Sequence, residues 1–125
     1  MAETSIALDF EHLQKSTDDL IRSIYRFRPE EITISYVEAT IVGRSNDSTR
    51  TYSAKINLMF RRDAALPPEI IDQPVVIEDF QSTDMAVYFD VYAPDNEVRI
   101  QCKGIAGQDI DWAIKGTWFA IFGDN

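Results

Sequence analysis

Past Pro29 the apolar residues recur at every second position, in run after run. That period restricts the fold more than any other feature of the chain. Tyr52, Ala54, Ile56, Leu58 and Phe60 alternate without a break against Ser53, Lys55, Asn57 and Arg61. Successive side chains of a strand point to opposite faces, so the pattern describes a strand with one buried and one wet face. Ile32, Ile34 and Tyr36 alternate too, and Val37, Ala39 and Ile41 then take over on the opposite parity. Such a switch predicts a β-bulge near Tyr36–Val37 or a strand buried on both faces. The polar segment from Arg44 to Arg50 reads as the hairpin turn between these two strands. Residues 63–74, with three prolines, read as a connection, and Val75 to Phe80 as a short strand that residues 81–84 break from the next.

The region from Met85 to Lys103 reads as a hairpin. Met85, Val87, Phe89, Val91 and Ala93 point one way, and Val98, Ile100 and Cys102 must join them. Opposite residues share a face, and a turn with Pro94 second and Asp95 third satisfies this. It pairs Val91 with Val98, Phe89 with Ile100 and Val87 with Cys102 inside, and Asp90 with Arg99 and Tyr92 with Glu97 outside. Asp111 to Phe122 reads as a last strand with apolar residues on both faces, hence central or doubly covered, with a C-terminal helix as the alternative.

Ahead of Pro29 the period changes. Phe10, Leu13, Thr17, Leu20, Ile24 and Phe27 step by three and four, which predicts an amphipathic helix over residues 10–28, N-capped by Asp9 and stopped before Pro29. Residues 4–8 read as a short strand or an extra helical turn. The expected fold is therefore α+β: one N-terminal helix packed on a curved antiparallel sheet of about five strands. With 125 residues and ordinary globular composition, it is expected as one domain over residues 1–125.

Charge is unevenly placed. Residues 1–62 are balanced, and the entire net charge of −9 lies from Asp63 onward. An acidic half argues against nucleic acid, which needs clustered Lys and Arg, and selects a basic partner. One cysteine rules out an internal disulfide framework. No basic n-region opens the chain and no apolar run reaches membrane-spanning length, so a soluble, cytoplasmic protein without membrane contact is expected.

Sites with fixed chemistry are not indicated. His12 and Cys102 would have to converge for nucleophilic catalysis, and Cys102 is expected on an inward strand face. Asp109–Asp111 and Asp95–Glu97 lack the spacing of a calcium loop. Glu78, Asp79, Asp84 and Asp90 flank strands without forming a pair for acid–base work. No enzyme activity, cofactor or metal is expected. Tyr88, Asp90 and Tyr92 share the outward face of one strand in the acidic half, with Asp95 and Glu97 beside them. Aromatics flanked by acids suit the surface of a basic protein.

The expected function is an acidic protein-binding module, of inhibitor or immunity type, that blocks a basic partner such as a nuclease or toxin. A helix followed by a curved sheet is also similar in outline to cystatin-like and NTF2-like folds. That similarity implies a small-molecule cavity lined by Tyr36, Phe60, Phe89 and Trp118. A structural subunit of a larger assembly such as a virion is the third reading, with the last strand facing a neighbouring chain. A homo-oligomer is compatible with the chain, and a defined one would favour the third reading.

Overall fold

The computed structural model describes residues 4–47, 49–81 and 84–123. Eight antiparallel strands form two sheets: β1 (Thr4–Ser16), β2 (Ile21–Phe27), β3 (Thr33–Ser45), β4 (Thr51–Arg62), β5 (Glu69–Gln81), β6 (Ala86–Tyr92), β7 (Glu97–Lys103) and β8 (Ile110–Phe122). The larger sheet has the order β1-β8-β3-β4-β5 and the smaller β2-β7-β6. A single 3-10 turn, Ala93–Asp95, is the sole helical piece among the described residues. The fold is all-β, not α+β.

The N-terminal helix does not form. Its segment is β1, a turn and β2, and the two strands enter different sheets. The three-and-four spacing of Phe10, Leu13, Thr17, Leu20, Ile24 and Phe27 is a coincidence of two strands with a break between them. Phe10 and Phe27 do pack together, their rings 5.3 Å apart. Leu13 and Leu20, which the helix would have buried, are 78% and 60% exposed. The break lies at Thr17–Leu20, where Asp18 Oδ1 accepts the Leu20 N–H (3.1 Å) and both Asp18 oxygens take the Arg22 guanidinium. Ser, Thr and Asp offer the backbone such local bonds in preference to helical ones.

Most other elements follow the alternation. On β3 the odd residues face inward and the even ones outward, with no register shift against β4 or β8. The parity switch at Tyr36–Val37 is therefore neither a bulge nor double burial: Ile34 and Tyr36 sit on the outer face. β5 is longer than expected, running from Glu69 through Pro74 with two register shifts against β4. Proline is tolerated there because β5 is an edge strand and its outer N–H groups need no partner. The break expected over residues 81–84 lies partly outside the described residues. The β6–β7 hairpin has the expected register, including Val91–Val98, Asp90–Arg99 and Tyr92–Glu97. Its turn closes with the Asn96 N–H donating to the Ala93 carbonyl (3.1 Å).

The core lies between the sheets. Val37, Ile41, Ile56, Leu58, Phe60, Trp112 and Ile114 of the larger sheet meet Ile24, Phe27, Val98, Ile100 and Cys102 of the smaller. Trp112 lies flat against Gly43, where a Cβ would come within 2.8 Å of the indole. Its buried N–H donates to Ser16 Oγ (3.1 Å), so burying the indole leaves no donor unpaired.

Candidate protein-binding surface

β5 and β6 are the edge strands of their sheets, are joined in sequence and touch each other, so they form one flank of the sandwich. This flank collects the charge. Asp63, Glu69, Asp72, Glu78, Asp79, Asp84, Asp90, Asp95 and Glu97 occur between residues 63 and 98, and no Lys or Arg does. All except Glu97 are exposed. The acids behind the net charge of −9 are thus not spread over the second half of the chain but fall on β5, β6 and the connections that bound them. That localisation is legible in the sequence as a basic-free stretch, once β5 and β6 are known to be neighbours.

Tyr88, Asp90 and Tyr92 stand on the outward face of β6, both tyrosines 39% exposed. Asp95 is exposed in the turn that follows. Glu97 is different: it is 1% exposed. Its Oε2 accepts from Arg28 Nε (2.8 Å) and Nη2 (2.6 Å), and its Oε1 from Arg99 Nε (3.0 Å) and Nη2 (2.9 Å). Burial raises the proton affinity of this carboxyl, but the two guanidiniums outweigh it and hold the group below its ordinary range. Arg99 also lies 4.1 Å over the Tyr92 ring. Glu97 therefore has no free carboxylate for a partner. It fixes Arg99, and Arg99 fixes Tyr92. Sequence pairing set Asp90 against Arg99, yet the guanidinium goes to Glu97, and among the described residues Asp90 has no ion pair. Beyond β6 the same face turns basic, with Arg26 opposite Arg99. The acidic surface is thus confined to the flank.

The remaining candidates stay apart. Cys102 is buried, and burial pushes its thiol up to about 12, so it is no thiolate nucleophile. His12 belongs to the other sheet, its ring 6.4 Å from that of Tyr25. Asp109 accepts from Asn46 Nδ2 (3.2 Å) and Asp111 pairs with Lys15 (3.7 Å). Glu78 accepts the Tyr52 hydroxyl (2.6 Å), which together with burial raises the phenol's proton affinity. The expected cavity residues do not converge. Phe60 and Trp118 are near neighbours (6.3 Å), but Tyr36 is on the opposite face of its sheet. A cavity of about 160 Å³ does reach Trp118, but its other walls are Leu8, Arg28, Thr33, Ala120 and Phe122 among others. Without the helix, the likeness to cystatin-like and NTF2-like folds lapses.

No family model and no curated protein matches the chain. Among solved structures it is similar to the Acinetobacter baumannii phage AM24 tailspike protein, with 8% identity and a TM-score of 0.47 over 98% of this chain. The chain spans 26% of that protein's length. Likeness at this level carries no argument about function. None of these comparisons bears on the inhibitor or immunity reading. No helix among the described residues is long and apolar enough to cross a membrane.

Proposed function

We propose that the chain is a protein-binding module whose β5–β6 flank engages a basic protein surface. The observation that carries this reading is the segregation of the acids: with Glu69 engaged by Arg61, seven exposed carboxylates (Asp63, Asp72, Glu78, Asp79, Asp84, Asp90 and Asp95) lie on β5, β6 and the connections that bound them, beside two half-exposed tyrosines. A field of one sign steers a cationic partner within roughly 8 Å at physiological salt. Tyr88 and Tyr92 then supply contact area at low entropic cost, and the Glu97–Arg99 pair holds Tyr92 in place. In this division of labour the acids set the association rate and the tyrosines the lifetime of the complex.

The test is retrieval of partners on the tagged protein from its native source, followed by binding kinetics with the retrieved protein. Tyr88→Ala/Tyr92→Ala is expected to speed dissociation. Asp90→Asn/Asp95→Asn is expected to slow association and flatten its salt dependence. A folded double-tyrosine variant with unchanged kinetics, or a partner without a basic surface, would overturn the reading.

A further inference from the structure

The outer face of the five-stranded sheet is a second surface, which the acidic flank does not use. Strand register sets Ala7, Phe119, Tyr36, Met59 and Ile71 in one row across all five strands. Ile121 and Ile34 stand beside each other in the next row. Ile34 is 50% exposed, Ile121 41% and Phe119 39%, because the smaller sheet packs on the opposite face. A solvated antiparallel sheet ordinarily turns a polar face to water. Here a continuous apolar stripe does so, and such stripes mark interfaces.

Charge identifies what covers it. In register on this face stand Asp9, Glu11, Glu38, Glu69 and Asp111, against Lys15, Arg44, Lys55, Arg61 and Lys115. They are interleaved: Lys15 pairs with Asp111, Arg61 with Glu69, and Glu11 stands opposite Lys115. A molecule of net charge −9 thus keeps one broad face electrically balanced. A basic partner is drawn to the flank instead. A second copy, repelled at the flank, meets no net charge on this face. The face is also large enough. Five strands about 4.8 Å apart and about 40 Å long offer on the order of 1,000 Å² per copy, or about 2,000 Å² for a pair, the size of a stable specific interface.

We infer that two copies of this chain associate through the outer faces of their five-stranded sheets. The pairing is isologous, with apolar row on apolar row and balanced charges around it. The inference goes beyond the flank reading and stands on different residues.

Light scattering and sedimentation of the purified chain across the micromolar range test it. The parent is expected at twice the chain mass of 14.3 kDa. Ile34→Lys/Phe119→Lys places two cations in the stripe and is expected to weaken association by more than about 100-fold, giving a monomer with unchanged strand content. Met59→Lys alone serves if the double variant fails to fold, because its side chain is already partly in water. Tyr88→Ala/Tyr92→Ala is expected to leave the mass of the parent, which separates this surface from the flank. A parent that is monomeric at the highest concentration, or an oligomer indifferent to the lysine substitutions, would overturn the inference.

Discussion

Replacing Glu97 by Gln tests whether the buried carboxylate organises its end of the smaller sheet. The side chain keeps its size but loses its charge and turns an N–H₂ towards a guanidinium. Four charge-assisted contacts of 2.6–3.0 Å are affected, two from Arg28 and two from Arg99. Taken singly, such bonds are each worth about 1.5–3 kcal/mol. Arg28, however, is 68% exposed and regains water when released, so its share falls below about 1 kcal/mol. Arg99 is mostly covered and keeps only the Tyr92 ring. The expected loss is therefore about 2–3 kcal/mol, or roughly 10 °C in Tm for a domain of this size. The pH dependence has a definite sign. The carboxyl titrates lower in the folded protein than in the unfolded chain, so its contribution is complete above the unfolded value and disappears as pH falls through the folded one. Urea unfolding at pH 7 and pH 3.5 should show the gap between parent and variant shrinking in acid. A gap below about half a kcal/mol at neutral pH, or one indifferent to acid, would refute a stabilising role for the Arg28–Glu97–Arg99 cluster.

Three further outcomes are expected. Phe27→Ala should cost about 3–5 kcal/mol in chemical denaturation, whereas Leu20→Ala should change stability by less than about half a kcal/mol; the reverse order would restore the helix. Gly116→Ala should destabilise by about 1–3 kcal/mol, because a Cβ there meets the Glu38 carbonyl and Ala39, and an unchanged Tm would show that these neighbours give way. Asp47 accepts from Thr49 and Ser45 and is lowered to about 2, so the stability it adds to the β3–β4 turn is present at neutral pH and lost as pH drops through that value; an NMR titration giving an ordinary carboxyl value would show the turn to be open.

Strand existence was legible wherever one face was apolar and the other polar. β4 and the β6–β7 hairpin could be read directly because their patterns satisfy period two and nothing else. β3 misled because its even residues Ile34 and Tyr36 are apolar yet outward, and burial cannot be inferred from apolarity when a sheet face is exposed. β1 and β2 misled for a different reason. The Ser16–Asp19 cluster is a turn signal, but spacing by three and four ran across it, and a bulge at Ile24 hid the alternation of β2. Tyr88, Asp90 and Tyr92 of β6 were visible as types and as a shared face. The fate of Glu97 was not, since the cation that covers it, Arg28, lies 69 residues away in sequence. The acidic flank needed the knowledge that β5 and β6 lie side by side.

The place of β8 between β1 and β3 has a consequence for synthesis. Thr4 pairs with Phe122 and Ser16 with Ile110, so β1 leaves the ribosome before the other strands of its sheet and has no hydrogen-bonding neighbour there until β8 has been made. The β3–β4–β5 meander can form from local contacts while translation continues. β1, by contrast, must wait with the backbone N–H and C=O groups that β8 will pair left open. Closing so distant a pair is slow, and an unpaired strand invites association with other nascent chains. Assembly of this sheet is in effect timed by β8, and conditions that stall elongation shortly before β8 should raise the chain's demand for chaperones.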